Sequence, residues 1–218
     1  MSFKQVLLSM AVISGLNFSA LTQAASLDTD VSQLQQEWAH IKYQVSGKDA
    51  QLNAIHELEK TAESVVAANP NRAEPLIWQG IILATDAGIV KGISALGTVK
   101  QAKALFEKSL QLDPTALQGS AQTSLGSMYY QVPGWPVAFG DNEAAEKHLQ
   151  AALKINPTGI DPNFFYGDFL LKAKRYDEAV KYLNIALQAP DRPNRQVADV
   201  GRRQEIKQAL ATAQAAVK

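Results

Sequence analysis

The amino-acid sequence predicts an all-α solenoid of stacked helical hairpins, and three observations point to this fold class. One pattern of small and large apolar residues recurs three times, beginning at Ala102, Ala145 and Ala179. Ala145 and Ala179 are 34 residues apart, which is the period of a helix–turn–helix repeat. A glycine precedes each copy, at a position where a side chain would hold two helices apart. These glycines are Gly80, Gly126 and Gly167.

Residues 1–24 predict a secretory signal peptide ahead of the solenoid. Lys4 is the only charged residue before Asp28, and a mostly apolar stretch covers residues 6–21. Small residues around Ala24 offer a cleavage site, and the stretch is too short and too polar for a membrane-spanning helix. We therefore expect export and cleavage, with a periplasmic location. An uncleaved membrane anchor is the alternative.

The mature chain, from about residue 25 onward, is close to electrically neutral. Without Lys4, 20 of the 21 Lys and Arg residues remain against 21 Asp and Glu residues. This balance argues against a nucleic acid or an anionic membrane as the partner, and we expect no stable membrane insertion after cleavage. The chain has no cysteine, so it forms no disulfide and carries no lipid anchor on an N-terminal cysteine.

Residues 25–69 predict an N-terminal helical hairpin, interpreted as a degenerate repeat. Apolar residues recur at helical spacing on each of its two helices. They are Leu34, Trp38, Ile41 and Val45 on the first helix, and Leu52, Ile55, Leu58, Ala62 and Val65 on the second.

The same hairpin carries two Glu/His pairs that raise a metal site as an alternative. Glu37 precedes His40 by three residues, and His56 precedes Glu59 by three residues. Di-metal helical bundles use a Glu-x-x-His pair on two helices together with further glutamates, whereas the second pair here is reversed. We favour ordinary solvated helix faces and expect neither a metal nor a cofactor.

Residues 70–190 carry the repeat motifs themselves. Leu125–Gly126 with Tyr129 three residues after the glycine, and Tyr166–Gly167, fit the first helix of a known repeat, and the recurring alanine pattern fits its second helix. In these motifs the segment resembles the tetratricopeptide repeat family. The resemblance implies paired helices whose first members line a groove that binds extended peptides.

Two of the predicted repeats carry extra residues between their helices. The first insertion covers residues 85–98 and the second residues 131–141. A solenoid places insertions on one edge, which is often the binding edge. In the second insertion, Trp135 and Phe139 lie near two stiffening prolines and are candidate binding anchors. The alternative, which we favour for Trp135, is that its ring fills a gap between repeats.

Residues 191–218 predict a C-terminal capping helix, which a solenoid needs to cover its last apolar surface. Its apolar face consists of Ile206, Leu210, Ala213 and Val217. Its start is unusually rich in charge, with Arg192, Arg195, Asp199, Arg202 and Arg203.

The family resemblance also implies which residues face the groove. Carried over from the glycines, these positions are Ile77, Ile81, Thr123, Ser127, Tyr130, Phe164, Asp168 and Leu171. Some family members hold a carboxylate with Lys and Asn at such positions, but this chain has Ile, Thr and Phe there. We expect an apolar groove with scattered hydroxyls. Alternatively, some of these side chains pack against the insertions and close the groove.

No catalytic motif is present in the sequence. It lacks a cysteine nucleophile, a G-x-S-x-G elbow, a phosphate-binding loop and a dinucleotide fingerprint. We therefore predict a non-catalytic protein that binds a protein or an extended peptide.

A second resemblance suggests an alternative function. The loop Pro133–Gly134–Trp135–Pro136 and the arginine-rich close are similar to those of the T-component accessory proteins of tripartite periplasmic solute transporters. That resemblance implies a carrier or accessory protein that shelters an apolar small molecule. Those proteins are typically anchored through a lipidated cysteine, which this chain lacks.

Overall fold

The computed structural model describes residues 27–217, and the predicted signal peptide lies outside the described residues. Nine helices account for most of this part, and no β-strand occurs within residues 27–217. They are α1 (27–44), α2 (Lys48–Ala68), α3 (Ala73–Val90), α4 (Leu96–Leu112), α5 (Ala116–Gln131), α6 (Asn142–Ile155), α7 (Ile160–Lys172), α8 (Tyr176–Gln188) and α9 (Gln196–Val217). The predicted all-α class is confirmed.

Consecutive helices pair into hairpins that stack side by side. Helix α3 packs mainly on α4, α5 on α6, and α7 on α8. The first helices of successive hairpins also contact each other, so that α3 touches α5, α5 touches α7 and α7 touches α9. This is the arrangement of a tetratricopeptide-like solenoid, in which the first helices line one continuous face.

The three repeat glycines bring the two helices of each hairpin together, as predicted. A β-carbon added at Gly126 would lie 2.5 Å from Cγ of Leu149, and one at Gly167 would lie 2.7 Å from Cγ of Leu183. The corresponding glycine of the first repeat faces the ring of Phe106 at 2.6 Å. In all three repeats, therefore, the large residue at the equivalent position of the second helix fills the space beside the glycine.

The small residues of the pattern form the core between hairpins. Ala102, Ala145 and Ala179 are completely buried, and so are the large residues that follow each of them four positions later. These large residues are Phe106, Leu149 and Leu183. Burial of each such side chain contributes about 1.5–3 kcal/mol, which is why this spacing recurs in the sequence.

The prediction that residues 85–98 form a separate segment at the edge of the solenoid is wrong. Its residues extend the two helices, so α3 has 18 residues and α4 has 17, compared with 13 in each of α7 and α8. Only a short 3₁₀ turn at Ile93–Ala95, preceded by two residues, connects them. The apolar composition of the segment fits this result, because apolar residues continue a buried helix face more readily than they form a loop.

The second predicted insertion is a loop between α5 and α6. Its base is closed by the amide of Gly140, which donates to the carbonyl of Pro133 at 2.9 Å, and by the amide of Asp141, which donates to the carbonyl of Tyr129 at 2.9 Å. The Asp141 carboxylate then caps α6 by accepting hydrogen bonds from the amides of Glu143 and Ala144. The loop is therefore fixed at both ends.

The two ends of the solenoid contact each other. Helix α9 packs on α8 as a capping helix, but it also meets α1. A β-carbon at Gly201 of α9 would lie 2.3 Å from the ring of Tyr43 in α1. Trp38, one turn before Tyr43, contacts the ring of Trp78 in α3 at a centroid distance of 5.7 Å. Helix α1 thus bridges the first repeat and the capping helix.

Candidate functional site

A cavity of about 1310 Å³ lies along the first helices of the hairpins. Its wall comes from α3, α5 and α7, and it is completed by α1 and by the start of α9. The contact between α1 and α9 therefore converts the open groove of a simple solenoid into a partly enclosed space.

Helix α3 contributes one face of the cavity wall. Trp78, Ile81, Thr85 and Gly88 follow one another at spacings of three, four and three residues, which places them on one side of the helix. The indole Nε1 of Trp38 donates to Oγ1 of Thr85 at 2.8 Å, and this hydroxyl donates to the carbonyl of Ile81 at 2.8 Å. The first hydrogen bond ties α1 to this face, and the second, within α3, orients the Thr85 hydroxyl that accepts it.

Helix α5 contributes a face of hydroxyl groups. Ser120, Ser124 and Ser127 lie at helical spacing along the cavity, with Thr123 beside them. Ser127 accepts a hydrogen bond from Nε2 of Gln131 at 2.9 Å. Serine hydroxyls donate and accept, so this face suits the amide groups of an extended backbone.

Helix α7 contributes two aromatic rings and a carboxylate. Phe164 and Phe165 line the cavity, and the guanidinium of Arg202 from α9 lies over both rings, 4.5 and 4.7 Å from their centroids. This cation–π contact joins α9 to α7. Asp168, one turn further along α7, also faces the cavity.

Six charged residues form one part of the wall, which we term the charged wall: Lys42, Asp161, Arg192, Arg195, Arg202 and Glu205. Asp161 is its centre, because its carboxylate accepts from Nη1 of Arg192 at 2.5 Å and from Nε of Arg202 at 2.8 Å. Although burial acts in the opposite direction, these two guanidinium groups hold the pKa of Asp161 far below its usual range. The carboxylate is therefore ionised at neutral pH.

The charged wall also links α9 to α1. Arg202 pairs with Glu205 on its own helix, and Glu205 lies 3.3 Å from Nζ of Lys42. The hydroxyl of Tyr43 donates to Glu205 at 3.5 Å. Burial is the main reason why the pKa of Tyr43 is raised well above its usual value and that of Lys42 is lowered.

Arg195 differs from its neighbours in the charged wall. No ion pair joins it to a carboxylate within residues 27–217, and its buried Nε has no hydrogen-bond partner there. Its guanidinium lies 5.1 Å from the centroid of the Trp78 ring, so the residue just before α9 reaches across the cavity wall to α3. Burial, together with the nearby charge of Arg192, lowers the pKa of Arg195 to about 10, so the group remains charged at pH 7.

Five of the eight predicted groove residues lie on the cavity wall. They are Ile81, Thr123, Ser127, Phe164 and Asp168. Their role in binding stays a prediction.

The groove position assigned to Ile77 is wrong, and Tyr130 and Leu171 do not line the cavity. Ile77 is completely buried between α3 and the next hairpin, because the cavity face of α3 passes through its neighbour Trp78. Tyr130 and Leu171, at the ends of α5 and α7, are partly buried and pack against the core cluster of the last repeats. The hydroxyl of Tyr130 donates to Asp168 at 2.7 Å, and burial with this carboxylate raises the pKa of Tyr130 well above its usual value.

The two loop candidates have different environments. The Trp135 side chain is 89% exposed, so the favoured interpretation that it fills a gap between repeats is wrong. Phe139 instead packs edge-to-face on Tyr129, with a centroid distance of 5.6 Å. Phe139 therefore anchors the loop, while Trp135 lies at its tip.

The Glu/His pairs of the N-terminal hairpin do not converge. His40 contacts Gln44 of its own helix, and Nε2 of His56 lies 3.1 Å from a carboxylate oxygen of Asp86 in α3. Within residues 27–217, no group of three or more His, Asp or Glu side chains is arranged to hold a metal ion.

Several residues of the wall were not predicted as site residues. Ser120 and Ser124 were detectable in principle, because they share a helix face with Ser127. The arginines at and just before the start of α9 stand out in the sequence by their charge. Their place on the cavity wall, however, depends on the contacts of α9 with α7 and α1. No local sequence pattern predicts these contacts.

The match to a protein-family model supports the fold of the last repeats. The tetratricopeptide repeat family model matches residues 137–199, which cover the end of the loop, α6, α7, α8 and the start of α9. A solved structure of a MamA mutant is similar, with 20% sequence identity and a TM-score of 0.45 over 91% of this chain and 99% of that chain. No curated protein matches the chain at a significant level.

The fold and the family match together indicate a protein-interaction scaffold. Proteins of this repeat type are generally non-catalytic. Among the described helices, none combines the length and the apolar character needed to cross a membrane.

Proposed function

We propose that this protein binds an extended segment of another protein in the cavity between α1, α3, α5, α7 and the start of α9. The observation that carries the proposal is the cavity itself, which is continuous along the first helices and bordered by α1. In a helical-hairpin solenoid this face presents side chains of successive repeats to a single chain.

The size of the cavity favours a peptide over a small molecule. Pockets for drug-sized ligands have volumes of roughly 300–1,000 Å³. The cavity here is larger, at about 1310 Å³, and it extends over three hairpins. A peptide segment several residues long uses such a volume better than a single compact ligand.

The chemistry of the wall also favours a peptide. Hydroxyl groups of α5, aromatic rings of α3 and α7, and the charged wall all face the same space. A purely apolar ligand would leave these polar groups without water and without partners, which is costly. An accessory protein that shelters an apolar small molecule is therefore the second candidate.

Binding of peptides to the purified protein tests the proposal. The probe is a library of random decapeptides, and native mass spectrometry records the peptide-bound species. We expect Ser124→Trp, which places a large ring inside the cavity, to lower peptide affinity at least about tenfold. Lys147→Trp adds the same ring on the exposed side of α6 and serves as the matched control.

Three results would count against the proposal. The first is that the wild type binds no member of the library. The second is that the two tryptophan variants bind peptides with equal affinity. The third is a purified protein that carries an apolar compound which peptides do not displace, and this result would select the carrier function.

We further propose that the protein acts after export to the periplasm. The charge and hydropathy pattern of residues 1–24 is the basis for this proposal. N-terminal sequencing of the protein from a periplasmic fraction should begin near Ala25. Recovery of the intact N-terminus from the cytoplasmic fraction would contradict it.

A further inference from the structure

Arg195, a cation of the cavity wall, forms no ion pair with a carboxylate in the described part of the chain. The charged wall has four cationic side chains and two carboxylates, and a third carboxylate, Asp199, lies behind it. Asp199 pairs with Arg192 at 2.5 Å, Asp161 pairs with Arg192 and Arg202, and Glu205 pairs with Lys42 and Arg202. These three carboxylates are thus each paired with other cations. Arg195 interacts with Asp161 and Asp199 only at longer range and forms no ion pair within residues 27–217.

The position of Arg195 makes this imbalance accessible to a ligand. Its guanidinium is held over the ring of Trp78, and both residues line the cavity. Stacking on an aromatic face fixes the plane of a guanidinium while leaving its N–H groups free at the edge. A charge that is partly buried without a partner is unfavourable, so the site favours an anion that supplies the missing counter-charge.

We propose that Arg195 recognises a carboxylate of the bound segment, which is either an acidic side chain or the C-terminal carboxylate. A planar carboxylate matches the paired N–H donors of a guanidinium, and such bidentate pairs are among the strongest hydrogen-bonded contacts in proteins. The inference rests on the proposed peptide binding and adds the chemistry of one ligand group. It differs from the carboxylate binding by Lys and Asn on repeat helices, since Arg195 lies outside the repeats, directly before the capping helix.

The effect of Arg195 on stability distinguishes a recognition residue from a structural one. Arg202 and Arg192 hold helices together through ion pairs, whereas Arg195 makes none within the described chain. We therefore expect Arg195→Gln to melt at the wild-type temperature or slightly above it, because the substitution removes an unpaired charge. Arg202→Gln should melt lower.

Three decapeptide libraries with acetylated N-termini test the ligand chemistry. The first contains Glu and has amidated C-termini, the second has Gln in place of Glu and free C-termini, and the third has Gln and amidated C-termini. The wild type should bind the first or the second about tenfold more tightly than the third, and the preferred library identifies which carboxylate is read. Arg195→Gln should abolish this preference, and Arg195→Lys should retain part of it.

Lys207→Gln is the control for a change in net charge, because Lys207 is exposed on α9 and does not line the cavity. It should keep the full preference. Equal binding of all three libraries by the wild type, or a preference that survives in Arg195→Gln, would overturn the inference while leaving peptide binding intact. Failure of every library to bind the wild type would overturn the proposed function and this inference together.

Discussion

A single glycine in each hairpin determines how closely its two helices approach. At Gly80, Gly126 and Gly167 an added β-carbon would lie less than 3 Å from the large residue on the second helix. Contacts that short are not tolerated, so the helices would have to separate or the large side chain would have to leave its preferred rotamer. The glycine of the sequence motif is therefore required by the short distance between the two helices.

Gly126→Ala should destabilise the protein by about 1–3 kcal/mol, because the new methyl group overlaps Leu149 in a core that is already filled. Chemical denaturation of the purified protein measures the change. Gly88→Ala is the matched control, since no atom lies within 4 Å of its added β-carbon. In a helix this second substitution should raise stability by about 0.5–1 kcal/mol. Equal effects of the two substitutions would contradict the packing argument.

Asp161 should make stability dependent on pH in the acidic range. Its pKa is lowered in the folded state, so its ion pairs stabilise the fold above the pKa of the unfolded carboxyl, near 4. Asp161→Asn should therefore cost about 2 kcal/mol at pH 7. The difference from the wild type should shrink as the pH falls below about 4.

Denaturation curves of both proteins between pH 3 and 7 provide the measurement. Asp191→Asn is the control, because Asp191 also pairs with an arginine but its side chain is 80% exposed. An exposed pair contributes only about 0.2–1 kcal/mol, so this substitution should change little. If the difference in unfolding free energy between Asp161→Asn and the wild type stayed constant across this pH range, the arginine pairs would not be lowering the pKa of Asp161.

At the scale of helices, α1 joins the beginning of the solenoid to its end. Its residues contact α3 through Trp38 and α9 through Lys42 and Tyr43. Gly201 of α9 allows close packing in the same way as the repeat glycines. The ring that packs against it, that of Tyr43, comes from the first helix instead of a neighbouring one.

A double-mutant cycle tests this contact. Gly201→Ala should lower stability by about 1–3 kcal/mol, because the methyl group meets the ring of Tyr43. In a Tyr43→Ala background the same glycine substitution should cost close to nothing, since the ring is gone. Independent, additive effects in denaturation experiments would show that the two residues do not touch.

Much of the repeat region could be predicted from the sequence because its determinants are local. The alanine pattern, the repeat glycines and the stripes of the N-terminal hairpin all reflect contacts within one hairpin or between neighbours. The first insertion was misinterpreted because apolar residues between two helices serve equally well as a loop or as helix extensions. The exposure of Trp135 depends on how the loop closes at Gly140 and Asp141, which composition alone does not determine.

The cavity could be predicted only in part. Five of the groove residues follow from the helical phase of the repeats, and they do line it. The charged wall requires the contact of α1 with α9, for example between Tyr43 and Glu205, which are 162 residues apart. A pairing over such a distance leaves no periodic signal in a single sequence.

At the scale of the whole molecule, a stack of hairpins closed by α1 presents one cavity instead of an open groove. Its wall combines hydroxyl groups, aromatic rings and the guanidinium of Arg195, which forms no ion pair within residues 27–217. The account therefore assigns the interaction with a partner to the inside of the solenoid.

Site-specific photo-crosslinking in cells tests this claim most directly. A photoreactive amino acid replaces Ser124 inside the cavity in one strain and Lys147 on the exposed side of α6 in another. After irradiation, mass spectrometry identifies any peptide attached to each position. The account predicts that position 124 is joined to one defined segment of another protein and that position 147 is not. Crosslinks from position 147 alone would contradict it.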